Sequence, residues 1–87
     1  MRIRVRRTGG FAGIERTAEV DTSALPDAGE WHDLAGTVLT EGEPEERGVP
    51  DGFAYEITID DATVRCRDPR LTAAQRALIA RVLKEGA

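Results

Sequence analysis

Few side chains in this 87-residue chain could do acid–base or nucleophilic chemistry, and their spacing is poor for it. His32 is the only histidine, and no spacing suggests the orienting partner that a general base needs. Cys66, the only cysteine, takes an inward position on a predicted strand, where a free cysteine behaves as a small apolar residue. Asp60 and Asp61 are neighbours whose side chains point apart, so a turn explains them better than a carboxylate pair. We predict no catalytic residues, no cofactor and no small-molecule substrate.

Further carboxylates concentrate in the segment 41–51, which contains Glu41, Glu43, Glu45, Glu46 and Asp51. A calcium loop needs Asp or Asn ligands at regular spacing and a fixed glycine, and this segment has neither. We therefore predict a solvated acidic loop and no metal site. Whether this loop or the Asp60-Asp61 turn also contacts a partner is left open.

The most informative segment is Thr8-Gly9-Gly10-Phe11-Ala12-Gly13-Ile14, named here the glycine segment. Glycine has no Cβ, so three glycines allow positive φ and let the backbone approach another surface closely. No lysine follows the glycine pair, which excludes a Walker-type phosphate loop. Phe11 is flanked by residues too small to hold it inward. We therefore predict that the segment is an exposed loop that contacts a partner, whereas the alternative is that Phe11 caps the small core.

Alternating apolar and polar residues on both sides of the glycine segment predict two strands. When these two strands pair, inward-facing residues must lie opposite inward-facing residues. One register that meets this condition also places opposite charges across from each other, and it leaves Gly9 to Gly13 as an open loop. The predicted pairs are Ile3 with Val20, Val5 with Ala18, Arg4 with Glu19, and Arg2 with Asp21. Arg16 is the exception on the inward face of the second strand.

The same order of elements follows in the second half. An apolar stripe from Trp31 to Leu39 predicts a helix that stops near Gly42. A tight hairpin turning at Asp60-Asp61 pairs Ile57 with Val64, Tyr55 with Cys66, and Glu56 with Arg65. A capping box of Thr72 and Gln75 opens the last helix. The order ββαββα predicts an α+β fold: a four-stranded antiparallel sheet with two helices on one face. We also expect both hairpins to point the same way.

Composition limits the class of protein. Residues 1–87 are expected to form one domain, with 40% hydrophobic and 32% charged residues. No apolar run suits a membrane span or a signal peptide, and a lone cysteine fits a reducing compartment, so we expect a cytoplasmic protein. The net charge of −4 and four aromatic residues argue against nucleic-acid binding. Arginines on the strands alternate with glutamates, so a sheet surface that binds RNA is disfavoured.

Two motifs together resemble the emfourins, small protein inhibitors of thermolysin-like zinc metalloproteases whose type member acts on protealysin. The first is the glycine segment, and the second is Asp21-Thr22-Ser23-Ala24-Leu25-Pro26 before the first helix. The similarity also covers the arginine-rich first strand, the strand Tyr55-Glu56-Ile57-Thr58-Ile59, and Arg67-Asp68 before the last helix. The chain differs from the family pattern in having Thr8 where serine is usual, and it is shorter than the type member.

The resemblance implies a non-enzymatic, cytoplasmic inhibitor that binds one thermolysin-like metalloprotease per copy, with the zinc belonging to the enzyme. We predict that residues 8–14 block the active-site cleft, with Phe11 filling the pocket for the residue after the scissile bond. Arg6, Arg7 and Arg16 are expected to meet an acidic rim of that cleft. The alternative is a small adaptor domain that binds another protein through the sheet face or the acidic loop.

Overall fold

The structure is a computed structural model that describes residues 1–9, 15–42, 53–67 and 71–86. Four strands and two α-helices follow one another in the predicted order, with one short 3-10 turn at Thr22–Ala24. The elements are β1 (Arg2–Gly9), β2 (Arg16–Asp21), α1 (Ala28–Glu41), β3 (Phe53–Ile59), β4 (Ala62–Arg67) and α2 (Ala73–Glu85). The α+β fold predicted from the sequence is confirmed.

The strands form one antiparallel sheet in the order β2-β1-β3-β4. Both predicted hairpin registers are confirmed, including Ile3 opposite Val20 and Ile57 opposite Val64. β1 lies in the interior of the sheet, because it pairs with β2 on one side and β3 on the other. This pairing of β1 with β3 joins the two halves of the chain.

The pairing also defines the two ends of the sheet. At one end Gly9 pairs with Phe53, and Ala54 pairs with Arg67; we call this the glycine end. At the other, the turn end, the backbone N–H of Asp60 donates to the carbonyl of Arg2 at 2.9 Å. The expectation that both hairpins point the same way is therefore wrong. Because β1 and β3 are antiparallel, the Asp60-Asp61 turn lies at the end of the sheet opposite to Gly9.

The hydrophobic core lies between one face of the sheet and the two helices. Alternate strand residues supply it, as the period of two requires. Trp31, Ala35 and Val38 of α1 and Leu78, Ile79 and Val82 of α2 complete it. The opposite sheet face carries arginine, glutamate and threonine side chains. Among the described residues, no helix is long and apolar enough to span a membrane.

The predicted helix boundaries are confirmed where caps define them. The Thr72 hydroxyl oxygen accepts the backbone N–H of Gln75 at 3.1 Å, and the Gln75 side-chain oxygen accepts the backbone N–H of Thr72 at 3.0 Å, which is the predicted capping box. Gly42 ends α1 with φ +68°, a value that favours glycine. The predicted start of the acidic loop at Glu41 is wrong, because Glu41 is the last residue of α1, where its carboxylate accepts the hydroxyl of Thr72 at 2.8 Å.

Candidate functional site

The candidate site is the glycine end, where β1 ends within the glycine segment and β2 begins at Arg16, two residues after it. Thr8 and Gly9 are the last residues of β1 and pair with Ala54 and Phe53. Gly9 therefore belongs to the sheet and does not open the loop, which corrects the predicted loop boundary. Gly10, Phe11, Ala12, Gly13 and Ile14 lie outside the described residues. The predicted acidic loop also lies outside them, apart from Glu41 and Gly42.

Gly9 is the position at this end where glycine is required. Its φ is +87°, a backbone conformation that side-chain-bearing residues rarely adopt, although the residue still pairs with Phe53. The first glycine of the segment thus has a local structural reason, independent of any partner.

An aromatic cluster supports the helix side of the glycine end. The Arg7 guanidinium lies over the Phe53 ring, 4.5 Å from its centroid, a cation–π contact. The Phe53 and Tyr55 rings are 6.4 Å apart and tilted by 54°, a separation within the favourable range for aromatic pairs. Arg7 Nε is buried and has no hydrogen-bond partner in the part of the chain that the structure describes. Sequence reasoning missed this cluster because it depends on the pairing of β1 with β3.

Arg6 occupies the other side of the sheet at the same end. Its guanidinium bonds Glu15 on the β2 side at 2.9 Å and Glu56 of β3 at 3.4 Å, so it bridges both neighbours of β1. The hydrogen bond that Arg6 donates to Glu15, together with the charges of both carboxylates, raises the pKa of Arg6 above its ordinary value. All three groups are substantially exposed, so water screens the ion pairs and each contributes little to stability. Their effect is to orient the arginine.

Arg16 joins the sheet to the last helix. It lies on the inward face, as predicted, and its guanidinium donates to the carbonyl of Leu83 at 2.7 Å. Leu83 lies in the last turn of α2, where carbonyls lack helical partners and a cation is favourable. Arg6, Arg7 and Arg16 thus all have partners within the chain. Their predicted contact with an acidic cleft rim stays a prediction.

Two depressions flank the glycine end. On the open sheet face a polar one of about 320 Å³ is lined by Arg4, Arg6, Glu15, Thr17, Glu56 and Thr58. On the helix side a more apolar one of about 390 Å³ is lined by Phe53, Tyr55, Leu71, Arg76, Ile79, Ala80 and Leu83. The polar depression is charge-balanced, whereas the apolar one adjoins the aromatic cluster.

His32, Cys66 and Asp60, the residues whose side chains could do acid–base or nucleophilic chemistry, take structural positions in the fold. The hydroxyl of Thr22 donates to the carbonyl of Met1 at 3.1 Å and lies 3.0 Å from His32 Nε2. A hydroxyl has one proton, so His32 Nε2–H is the donor to Thr22 when that bond to Met1 is made. Cys66 is buried, as predicted, and Asp60 takes φ +54° in the turn. In the described residues no His, Cys, Asp and Glu side chains cluster in a way that could hold a metal ion.

Comparison with known proteins gives one match. The sequence model of the Emfourin family matches residues 5–83, which is most of the chain. Neither the curated proteins nor the solved structures include a match. The matched range includes the glycine segment, all of β2, β3 and β4, α1, and most of β1 and α2.

Proposed function

The chain belongs to the Emfourin family, which implies a protease-inhibitor role, and from this we propose that it inhibits a thermolysin-like zinc metalloprotease with its glycine segment. The family match over residues 5–83 is the observation that carries the proposal. No enzymatic activity is proposed for the chain, and the zinc belongs to the target enzyme.

The base of the glycine segment suits an inhibitor. Its first two residues, Thr8 and Gly9, continue a strand that is paired on both sides, and Arg16 ties the start of β2 to α2. A base fixed in this way reduces the entropy lost when a loop is ordered on binding. A cleft can then be filled without ordering the rest of the inhibitor.

Phe11 is the residue proposed to fill the apolar pocket just beyond the scissile bond. The neighbouring glycines let the backbone enter a narrow groove, because no side chain obstructs it. Cleavage is avoided if the loop peptide is held away from the geometry of attack. Thr8, Gly9, Gly10, Ala12, Gly13 and Ile14 complete the proposed contact segment.

The test is inhibition of a thermolysin-type protease by the wild type, Phe11→Ala and Gly10→Val, with melting temperatures measured in parallel. Truncating a central anchor residue costs about 2 kcal/mol or more, so we expect inhibition by Phe11→Ala to weaken roughly 30-fold or more at unchanged melting temperature. Leu39→Ala is the matched control, because Leu39 is an exposed apolar residue on α1, 39% accessible.

Each outcome separates the hypotheses. Retained inhibition with lost stability in Phe11→Ala would place the ring in the core and defeat the loop mechanism. A wild-type chain that leaves peptide hydrolysis untouched would exclude the inhibitor and favour the adaptor. A serine protease assayed beside the metalloprotease tests the proposed class of target.

A further inference from the structure

The strand β2 lies at an edge of the sheet, where it pairs with β1 and with no other described strand. The backbone N–H of Thr22 donates to the carbonyl of Met1 at 2.9 Å, so the even-numbered residues of β2 direct their ladder groups to β1. The ladder groups of Thr17 and Glu19 therefore point away from the sheet. A strand paired on one side only opens more easily than one paired on both.

The end of α2 lies against this outer side of β2. At the start of the strand, Arg16 donates to the carbonyl of Leu83 at 2.7 Å. Three residues further along, the backbone of Glu19 lies beside Gly86, the residue that caps α2. We call residues 83–86 the strap. It contacts β2 at two points, so it gives this edge strand a support that no second strand provides among the described residues.

Gly86 is required for the strap to approach β2. A Cβ added to Gly86 would lie 2.6 Å from the carbonyl oxygen of Val82 and 2.9 Å from that of Glu19. Both are backbone atoms, which cannot move aside as the end of a side chain can. The φ of −80° and ψ of 170° at Gly86 are open to any residue. The glycine is therefore needed for space and not for its backbone conformation.

We propose that the strap holds β2 in the sheet and so positions the second end of the glycine segment, a role that rests on the proposed function. Gly86 is then a positioning residue for inhibition. The first end of the segment belongs to β1, which is paired on both sides. The strand β2 begins two residues after the segment and has the strap in place of a second neighbour. Because order at both ends of a loop reduces the entropy lost on binding, a loosened β2 is expected to weaken inhibition.

Amide hydrogen exchange tests the strap without any protease. Gly86→Ala must displace the strap, so the amides of Ala18 and Val20, which bond β1, are expected to exchange at least roughly fivefold faster. The amide of Val64 in the ladder of β3 with β4 is the internal reference and should keep its rate. Gly36→Ala is the matched control, because it adds the same methyl group on α1 where no described atom lies within 4 Å.

A second variant removes the other contact of the strap. Arg16→Met loses the bond to the carbonyl of Leu83 and keeps an unbranched side chain. It should speed exchange of the same two β2 amides and leave Val64 unchanged. Unaltered exchange of these β2 amides in both Gly86→Ala and Arg16→Met would overturn the proposal.

Inhibition of a thermolysin-type protease is then measured for the wild type, Gly86→Ala and Gly36→Ala. We expect Gly86→Ala to inhibit at least roughly threefold more weakly and Gly36→Ala to match the wild type. Weaker inhibition without faster exchange in β2 would make Gly86 a protease contact and overturn the strap. Faster exchange with full inhibition would overturn its positioning role. If the wild type does not inhibit, the proposed function fails, and the exchange rates still decide whether the strap holds β2.

Discussion

Asp21 determines how the second strand ends. Its carboxylate accepts the hydroxyl of Ser23 at 2.7 Å and the backbone N–H of Ser23 at 3.1 Å, which caps the 3-10 turn Thr22–Ala24. These two hydrogen bonds hold the pKa of Asp21 below its ordinary value. The carboxylate therefore stabilises the folded state above the unfolded-state pKa of about 3.9, and this contribution is lost as pH falls through the lower folded-state value.

We predict that Asp21→Asn lowers the melting temperature at pH 6 and that the gap to wild type narrows as the pH falls below about 4. The reason is that protonation removes the same charge-assisted hydrogen bonds that the substitution removes. Thermal unfolding of both proteins between pH 2 and pH 6 measures the gap. Asp33→Asn controls for the loss of one carboxylate on the surface. A difference in melting temperature between Asp21→Asn and wild type that stays constant with pH would contradict the lowered pKa of Asp21.

The limits of sequence reasoning are clearest at Gly9 and Phe53. Local alternation predicted the strand that ends near Gly9, and glycine composition indicated that the backbone there is unusual. The pairing of Gly9 with Phe53 joins residues more than forty positions apart, and nothing in either local pattern encodes it. The Arg7 contact with Phe53 depends on that pairing, so it was also beyond prediction.

At the scale of elements, Arg81 links the last helix to the start of the first. Arg81 of α2 bonds the carboxylate of Asp27, and its guanidinium lies 4.5 Å from the centre of the Trp31 ring. Asp27 also accepts the indole N–H of Trp31 at 3.1 Å. The three side chains thus satisfy one another at the start of α1, where Trp31 is fully buried. This polar contact joins the start of α1 to the C-terminal half of α2, while the Thr72–Glu41 hydrogen bond joins their other ends.

Replacing Arg81 with alanine is expected to reduce the free energy of unfolding by about 1–2 kcal/mol, because a charge-assisted hydrogen bond and a cation–π contact are both lost. Arg81→Lys should recover only part of this, since an ammonium cannot stack flat on indole while bonding a carboxylate as a guanidinium does. Chemical denaturation measures both variants. Arg76→Ala, an exposed arginine on the same helix, is the matched control, and an equal loss in both alanine variants would refute the specific contact.

Element types and hairpin registers could be predicted because each rests on residues close in the chain. The register of the first hairpin follows from two conditions, that inward residues of β1 and β2 face each other and that opposite charges pair. The register of the second hairpin follows from its two-residue turn. The order of strands could not be predicted, because it depends on which hairpin edges meet. That choice also reverses the direction of the Asp60-Asp61 turn, which is why the expected common direction of the hairpins was wrong.

For the whole molecule, the opposite directions of the two hairpins decide which of them can share a partner. Gly9 ends β1 at the glycine end, whereas the Asp60-Asp61 turn lies at the turn end, because β1 and β3 are antiparallel. β1 has eight residues, so the two ends are separated by roughly 20 Å at about 3.3 Å per residue. A cleft that receives the glycine segment is therefore not expected to reach the turn.

This separation predicts that Asp61→Ala leaves inhibition of a thermolysin-type protease unchanged, a prediction that rests on the proposed function. The reason is that the turn and the glycine segment lie at opposite ends of the sheet, so a protease bound at one end does not contact the other. Inhibition and melting temperature are measured beside wild type and Phe11→Ala. A loss of inhibition in Asp61→Ala as large as that in Phe11→Ala, at unchanged melting temperature, would place the turn in the contact and contradict binding through the glycine end.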